Sequence, residues 1–474
     1  MSTSPSELFS KIRKSFGEYA VDKKLANEYE LAKLPRYVAE YLIAELSQEY
    51  DNDWKNKARE LIGKYYHEPE EREVVKHELT KNGKVRIMDE LRVYVDIESG
   101  MYIGLIPSLN LTAMVPMDIA DKYKNVLING IWGLISLAVV DTGDGKEVQL
   151  TDFQPFQTAD TDLALFKEAR RNFSLDEWLD VLVNTIGLDP TMYSRRQKVL
   201  LLARLIPLVE SNVNIAEFGP KATGKTYMLR NVSNYARIIS GGIISPASLF
   251  YNLRTKVPGE IAMKDLVAFD EISKVKFTNP DDMMGKLKDY MDSMQYERGD
   301  KKVTSDASIA FLGNVQVEKR SNGNSGSVYV PVEDLTYVLP EVMRDTALID
   351  RIHALIPGWE MPKIQQSKYH LSKGYGIASD YFAEIMHSMR KDAIQGIVKD
   401  MVDLSDNFTI RDEKAFKRVA SGMLKLLFPD GNIDRRDLEY ILNTVLEFRQ
   451  RVRDWLFKVA PGEFSNDKLS IRIK

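Results

Sequence analysis

A phosphate-loop motif near the middle of the chain constrains its fold more than any other segment. The motif fits the pattern G-x-x-x-x-G-K-[ST] and consists of Gly219, Pro220, Lys221, Ala222, Thr223, Gly224, Lys225 and Thr226. In such a loop the backbone N–H groups cradle a polyphosphate, the lysine contacts its β- and γ-phosphates, and the threonine hydroxyl ligates Mg²⁺. A buried strand is predicted before the motif, at residues 213–218, and a helix after it, at residues 226–236. This strand–loop–helix context predicts a site for ATP and Mg²⁺.

Two further apolar segments end in polar residues that suit the same site. Residues 266–271 form a predicted strand that ends in Asp270 and Glu271. We expect Asp270 to join Thr226 as a metal ligand and Glu271 to orient and deprotonate the attacking water. Residues 309–314 form another predicted strand, and Asn314 at its end would position that water. A polar strand end or an asparagine in a turn is common on its own, but this order favours catalytic roles for Glu271 and Asn314.

A basic hairpin is predicted between these two strands. Asn279 and Pro280 predict the start of a helix whose methionine stripe packs in the core. The hairpin follows at residues 295–305, with Arg298, Lys301 and Lys302 at or beside its tip. We expect these three cations to contact DNA phosphates, and the alternative is a solvated charged turn.

Several arginines are candidates for a role at the nucleotide. Arg351 lies between apolar residues, so it must be paired or reach across an interface. Two interpretations stay open: a catalytic contact with the nucleotide of a neighbouring subunit, or an intrachain ion pair with Glu341 or Asp345. Three others compete for the role of a second sensor, and the sequence does not choose among them: Arg411, Arg435 and Arg436.

The patterning predicts a multidomain α/β protein in four parts. Residues 1–72 are predicted to be helical, and residues 73–160 to be β-rich. Short strands separated by turn signals suggest a small barrel or sandwich, with a DNA-binding OB-like domain as one candidate and a bland spacer as the other. Residues 161–372 are predicted to form an α/β ATPase core, and residues 373–474 a helical lid with C-terminal helices.

Composition limits the classes of function. The formal net charge of −4 argues against a generally basic nucleic-acid coat, so DNA contacts must come from local patches or an assembled channel. The absence of cysteine excludes disulfides and thiol nucleophiles and suits a reducing compartment. The longest apolar run, residues 131–140, is far shorter than the roughly 20 residues that span a bilayer. We therefore expect a cytoplasmic protein without a membrane partner.

The order of these features resembles the AAA+ ATPases, and the basic hairpin is similar to the pre-sensor hairpin of MCM replicative helicases. More closely, residues 218–314 and the lid run 411–427 resemble the BrxL family, Lon-related AAA+ proteins of bacterial BREX phage-defence systems. The resemblance implies a hexamer-like ring that surrounds DNA, with double-stranded DNA expected in the ring channel. It also implies an N-terminal DNA-binding region, a role in phage exclusion, and other BREX proteins as candidate partners.

The family usually carries a C-terminal Lon-protease-like domain, whereas this chain ends near the lid. Either the chain is truncated or it is a short form, and we expect no protease activity because no Ser–Lys pair can be assigned. A protein unfoldase is an alternative, but residues 238–265 lack the aromatic–aliphatic–Gly pore loop that such proteins use to thread polypeptide. An ATP-gated scaffold for partner proteins is a third class that the sequence does not separate from a motor.

Overall fold

A computed structural model describes residues 4–27, 31–50, 53–96, 99–123, 127, 130–143, 145–156, 161–299, 301–321, 327–364 and 370–474. The chain begins with α1 (Pro5–Phe16), β1 (Ala20–Asp22), α2 (Arg36–Tyr50), α3 (Trp54–Tyr65) and α4 (Arg72–Asn82). Helices α1, α2 and α3 lie in residues 1–72, the part of the chain predicted to be helical. The β-rich texture expected from residue 74 is wrong over α4. Gly83 ends α4 in the left-handed conformation, with φ of 70°.

Five strands close into a barrel in the order β2-β3-β4-β6-β5: β2 (Lys84–Asp96), β3 (Met101–Ile106), β4 (Leu111–Val115), β5 (Ile131–Asp141) and β6 (Lys146–Pro155). Helix α5 (Met117–Lys122) connects β4 to β5, and β4 pairs with β6 in parallel. Buried side chains fill the barrel, among them Ile87, Leu91, Ile135, Leu150 and Phe153. All five strands lie within residues 73–160, the part of the chain predicted to be β-rich.

Four helices lead to the central sheet: α6 (Leu163–Arg170), α7 (Leu175–Thr185), α8 (Arg195–Ala203) and α9 (Ile206–Val209). A capping box opens α7: the Ser174 hydroxyl accepts from the backbone N–H of Glu177, and the Glu177 carboxylate accepts from that of Ser174. Strand β7 (Ile215–Gly219) follows. Next in chain order come α10 (Lys225–Val232), β8 (Ala236–Ile244), α11 (Pro246–Leu249), β9 (Tyr251–Asn252), β10 (Val257–Pro258), α12 (Glu260–Met263), β11 (Leu266–Phe277) and α13 (Pro280–Ser293).

The rest of the chain runs as β12 (Gln295–Arg298), β13 (Lys301–Thr304), β14 (Ser308–Asn314), β15 (Val317–Ser321), β16 (Ser327–Pro331), α14 (Thr346–Ile349), β17 (Ala354–Pro357), β18 (Tyr375–Ile377), α15 (Ser379–Met389), α16 (Gln395–Met401), β19 (Val402–Leu404), α17 (Ile410–Leu427), α18 (Arg435–Val459) and β20 (Ile471–Ile473). The helix predicted at residues 226–236 ends earlier, at Val232, because β8 begins at Ala236. Pro280 opens α13 as predicted, whereas the Asn279 side chain makes no capping bond. The methionine stripe is confirmed as core packing, since Met283, Met284 and Met291 are buried.

The central sheet has five parallel strands in the order β17-β7-β14-β11-β8. In a parallel sheet the carboxyl ends of all strands meet at one edge, where ligands bind. Register sets the neighbours at that edge: Asn314 lies beside Gly219, and Asp270 lies beside Ser240. The sheet thus brings together residues from four separate segments of the chain.

Helices cover both faces of this sheet. Helix α1 packs its buried Ile12 and Phe16 into the same apolar cluster as Trp178 of α7 and Phe382 of α15, and β1 pairs with β18. The predicted unit 1–72 therefore contacts two different cores, because α2 and α3 form their own cluster beside the barrel. The buried Arg449 of α18 binds Asp412 of α17 and Asp350, each at 2.7 Å. Within the described ranges, no helix combines the length and the apolar character needed to cross a membrane.

Candidate functional site

The phosphate-loop motif connects β7 to α10, as predicted. Two of its positions need glycine. A Cβ on Gly219 would lie 2.4 Å from the backbone carbonyl of Gly358, which follows β17 directly. Gly224 adopts the left-handed conformation, with φ of 77°. These two positions let the chain turn sharply at the sheet edge and begin α10 with its N-terminus facing the loop.

Lys225 is the positive charge of this loop. Its side chain is buried, and Nζ donates to the carbonyl oxygens of Pro220 at 2.8 Å and Gly219 at 3.2 Å. Burial lowers the pKa of Lys225 to about 8, and the negative charges of Glu217 and Asp270 oppose this shift. The ammonium is therefore held on the carbonyls of its own loop, where phosphate oxygens of a ligand could replace them.

Thr226 and Asp270 meet across the cleft. The Thr226 hydroxyl donates to Oδ2 of Asp270 at 2.7 Å, and the Ser240 hydroxyl lies 3.3 Å from the same oxygen. The other Asp270 oxygen accepts from the backbone N–H of Glu271 at 2.9 Å. A hydroxyl and a carboxylate at this spacing form the hard oxygen pair that Mg²⁺ uses beside a nucleotide. The chemistry of these two predicted ligands therefore fits the metal.

Glu271 and Asn314 complete the polar side of the site. Glu271 has a left-handed backbone, with φ of 47°, which a non-glycine residue rarely adopts and which marks functional positions. Its carboxylate accepts from Nζ of Lys274 at 2.9 Å. Asn314 ends β14, as predicted. Both face an open cleft of about 650 Å³ that is also lined by Lys221, Ala222, Thr223, Gly224, Lys225, Thr226, Tyr227, Ser240 and Asp270. Gly219 and Pro220 lie at the start of the loop, where their carbonyl oxygens accept from Lys225.

Four further residues that line the cleft were not predicted from the sequence. These are Leu188, Ile364, His370 and Leu371. They come from segments far apart in the chain and carry no motif. The backbone N–H of Ile364 donates to the carbonyl of Ala222 at 2.7 Å, and Leu188 forms an isolated antiparallel bridge with Leu371. These residues are mainly apolar, whereas the loop carries polar and charged side chains. The cleft therefore combines charged side chains with apolar ones from other segments.

The predicted basic hairpin is confirmed as β12 and β13, in which Arg298 lies opposite Lys301. Lys301 and Lys302 are exposed, and Asp300 lies outside the described residues. The hairpin does not stand alone: a Cβ on Gly299 would lie 3.1 Å from Leu253, which belongs to the turn between β9 and β10. None of the three hairpin cations is among the described residues that line the cleft.

Arg351 lies outside the cleft of its own chain. Its Nη1 donates to the carbonyl of Ala347 at 2.7 Å, and its Nη2 lies 3.3 Å from the Asp292 carboxylate. The intrachain partner predicted as Glu341 or Asp345 is wrong, because Asp345 binds Lys288 at 2.6 Å and caps α14.

The three candidates for a second sensor have other partners. Arg411 donates to Asp350 at 2.7 Å, Arg435 donates to the Ile473 carbonyl at 3.0 Å, and the backbone N–H of Arg436 donates to the Asp434 carboxylate at 2.9 Å. Within the described part of the chain, none of the three lines the cleft.

Family models match two long parts of the chain. Residues 148–470 match the model described as "Lon-like protease BrxL-like, ATPase domain", and residues 14–139 match "BREX system Lon protease-like protein BrxL N-terminal". The chain belongs to the BrxL family. This finding confirms the resemblance expected from the motifs and makes the protein a multidomain α/β chain with an ATPase-family domain. The entire cleft lies inside the part matched to the BrxL ATPase domain.

Two proteins with the printed name "Lon-like protease BrxL" are similar along nearly the whole chain. The one from Escherichia coli O9:H4 (strain HS) is 32% identical over 466 residues, which cover 97% of this chain and 66% of that protein. The one from Bacillus cereus (strain H3081.97) is 32% identical over 468 residues, which cover 97% of this chain and 68% of that protein. The chain thus spans about two thirds of the length of these BrxL relatives.

Proposed function

We propose that this protein is an AAA+ ATPase that binds DNA as a hexamer-like ring in the cytoplasm and acts in BREX-type defence against phage. ATP binding and hydrolysis would drive clamping, translocation or remodelling of the DNA. One observation carries the proposal. Lys225, the Thr226–Asp270 pair, Glu271 and Asn314 converge on one cleft at the carboxyl edge of a parallel sheet. The match of residues 148–470 to a family ATPase domain supports hydrolysis as its chemistry.

The cleft divides the work of hydrolysis among its residues. The loop N–H groups and Lys225 hold the phosphates, and Mg²⁺ held by Thr226 and Asp270 would neutralise charge on the β- and γ-phosphates. Glu271 accepts the proton of the attacking water, and Asn314 holds that water in line. The apolar side chains of Leu188 and Ile364 suit the base of the nucleotide.

Glu271→Gln should retain ATP binding and lose hydrolysis, because an amide cannot accept the proton of the water. We expect a fall in the steady-state ATPase rate of at least about 100-fold, within the range for a general base. Lys225→Ala should instead lose binding, measured with a fluorescent ATP analogue. Lys274→Ala is the matched control, because it removes the partner of Glu271 without removing the base. Hydrolysis by Glu271→Gln at the parent rate would show that Glu271 is not the base.

DNA binding is proposed for the paired hairpins. Tyr296 at the start of the basic hairpin donates to the carbonyl of Phe250 at 2.9 Å, which ties that hairpin to the β9–β10 hairpin. The turn of the second hairpin adds exposed Arg254 and Lys256 beside the same tip. Within the basic hairpin, Lys302 and Glu297 lie 3.9 Å apart and are both well exposed, so their pairing offsets little of the positive charge. Repetition around a ring would turn this patch into a cationic channel in a net acidic protein. We add the barrel as a second DNA surface of the OB type, on the basis of its five-stranded closed topology.

Lys301→Ala combined with Lys302→Ala should weaken binding to double-stranded DNA of every sequence and flatten its salt dependence, because phosphate contacts release counterions. Each lost contact should reduce the log–log salt slope by about one unit. Lys319→Ala with Arg320→Ala, on the exposed β15–β16 hairpin, is the matched control and should leave both quantities unchanged. If the first double variant keeps the parental affinity and slope, the DNA site lies elsewhere, with the barrel as the next candidate.

Assembly into a ring is proposed together with a role for Arg351 at the neighbouring subunit. The guanidinium faces Asp292 rather than its own cleft, and its Nε is buried without a hydrogen-bond partner in the described part of the chain. A modest rearrangement at a subunit interface would free it to contact the γ-phosphate of the next subunit, as arginines of ring ATPases do. The intrachain role with Asp292 is the alternative.

Mixing Arg351→Ala subunits with Lys225→Ala subunits distinguishes the two roles. At a mixed interface, an intact cleft can meet an intact Arg351, so part of the ATPase activity should return as the two variants are titrated together. Each variant alone is the control. Absence of recovery in rings shown by native mass spectrometry to be mixed would favour the intrachain role, and full activity in a strict monomer would contradict the ring.

A protein unfoldase is the second candidate, because both relatives carry the printed name "Lon-like protease". An ATP-gated scaffold for other BREX proteins would use the same cleft with slow turnover. ATPase assays with an unfolded protein in place of DNA separate the unfoldase from the DNA-binding ring.

A further inference from the structure

A buried ion pair lies directly beneath the phosphate loop. Glu217 is a residue of β7 and is fully buried, and Arg204 lies between α8 and α9 with only 1% of its surface exposed. The guanidinium grips the carboxylate with two bonds: Nε donates to Oε2 at 2.8 Å and Nη2 donates to Oε1 at 2.7 Å. A bidentate arginine–carboxylate pair of this kind fixes geometry as well as charge. Neither residue belongs to the loop motif.

The same guanidinium also reaches the loop. Its remaining terminal nitrogen, Nη1, donates to the backbone carbonyl of Thr223 at 3.3 Å. On the other side, a Cβ on Gly358 would lie 2.8 Å from Oε1 of Glu217, so the carboxylate is wedged between Arg204 and the turn after β17. Arg204 thus connects the strand that precedes the loop to the loop backbone itself.

The charge of Glu217 also acts on Lys225. Glu217 favours the charged form of Lys225, and Arg204 opposes it. A buried carboxylate without its arginine would be costly, and Lys225, whose charged form Glu217 favours, is the loop cation expected to bind phosphate. Glu217 therefore competes with the phosphates of the ligand for Lys225, and Arg204 neutralises the charge of Glu217.

We propose that Arg204 is a positioning residue for nucleotide binding: by occupying Glu217 and anchoring the Thr223 carbonyl, it keeps Lys225 available to the phosphates of ATP. This inference rests on the proposed function, namely that the cleft binds ATP. It assigns the Arg204–Glu217 pair to ligand affinity rather than to the chemical step.

Two variants that differ in one buried charge test it. Arg204→Met leaves Glu217 ionised and unpaired, and it should weaken binding of a fluorescent ATP analogue at least about tenfold, with KM raised more than kcat is lowered. Arg204→Met with Glu217→Gln removes the competing charge at nearly equal volume and should recover most of that affinity. Thermal stability is measured for each variant, because Glu217→Gln removes an unpaired buried charge and should restore stability whatever the role of the pair. A merely structural pair would lose ATP affinity only to the extent that stability is lost. Arg204→Lys keeps the opposing charge and should bind ATP better than Arg204→Met.

Lys425→Met is the matched control. Lys425 pairs with the buried Glu210 at 2.9 Å near the opposite, amino-terminal end of β7, so its loss disturbs a buried carboxylate without touching the loop. It should leave ATP affinity within about twofold of the parent while lowering thermal stability. Parental affinity in a folded Arg204→Met protein, or a double variant no better than Arg204→Met, would overturn the inference. Failure of the unsubstituted protein to bind ATP would instead contradict the proposed function. If Arg204→Met does not fold, the comparison of Arg204→Lys with the double variant decides.

Discussion

The polar residues of the cleft are brought together by the hydrogen-bonded register of the parallel strands β7, β14, β11 and β8. This ladder places Asn314 beside Gly219 and Asp270 beside Ser240, although these residues come from separate segments of the chain. A register slip of one residue would turn each side chain to the opposite face of the sheet and disperse the polar cluster. Strands β7 and β14 are buried along their length as far as Asn314, so their side chains pack on both faces of the sheet and help to fix the register.

Buried ion pairs hold other elements against this sheet. Arg449 joins α18 to α17 through Asp412 and to the segment before β17 through Asp350. Lys264 and Arg92 share Glu90, which connects the barrel strand β2 to the segments around α12. Such pairs contribute little net stability, but loss of one partner leaves an uncompensated charge and is costly. Relative positions of the barrel, the sheet and the C-terminal helices are therefore fixed by charge complementarity as well as by apolar packing.

The sequence predicted the parts of the site whose signals are local. The phosphate loop, the apolar segment that leads to Asp270 and the strand that ends in Asn314 each carry their own pattern of apolar and polar residues. The predicted end of a strand at Asp270 and Glu271 is wrong, because β11 continues to Phe277 after an irregularity in register between Asp270 and Val275. The apolar residues of the cleft could not be predicted, because Leu188 and Leu371 are far apart in the sequence and meet only through a long-range bridge. Arg351 was assigned the wrong intrachain partner for a similar reason: Asp345 is close in sequence, whereas Asp292 is brought near by α13. Arg204 was not predicted, because an arginine between two apolar helices matches no sequence motif. Only the fold places Glu217 beside it beneath the loop.

The central claim is that ATP hydrolysis in this cleft serves DNA, and the most direct measurement is the ATPase rate of the complete chain with and without double-stranded DNA. Single-stranded DNA and an unfolded protein, at matched concentrations, are the comparisons. We predict that double-stranded DNA raises the ATPase rate more than either of the other two and that the increase disappears at high salt, where phosphate contacts weaken. A rate that responds only to the unfolded protein, or to none of the three, would contradict it.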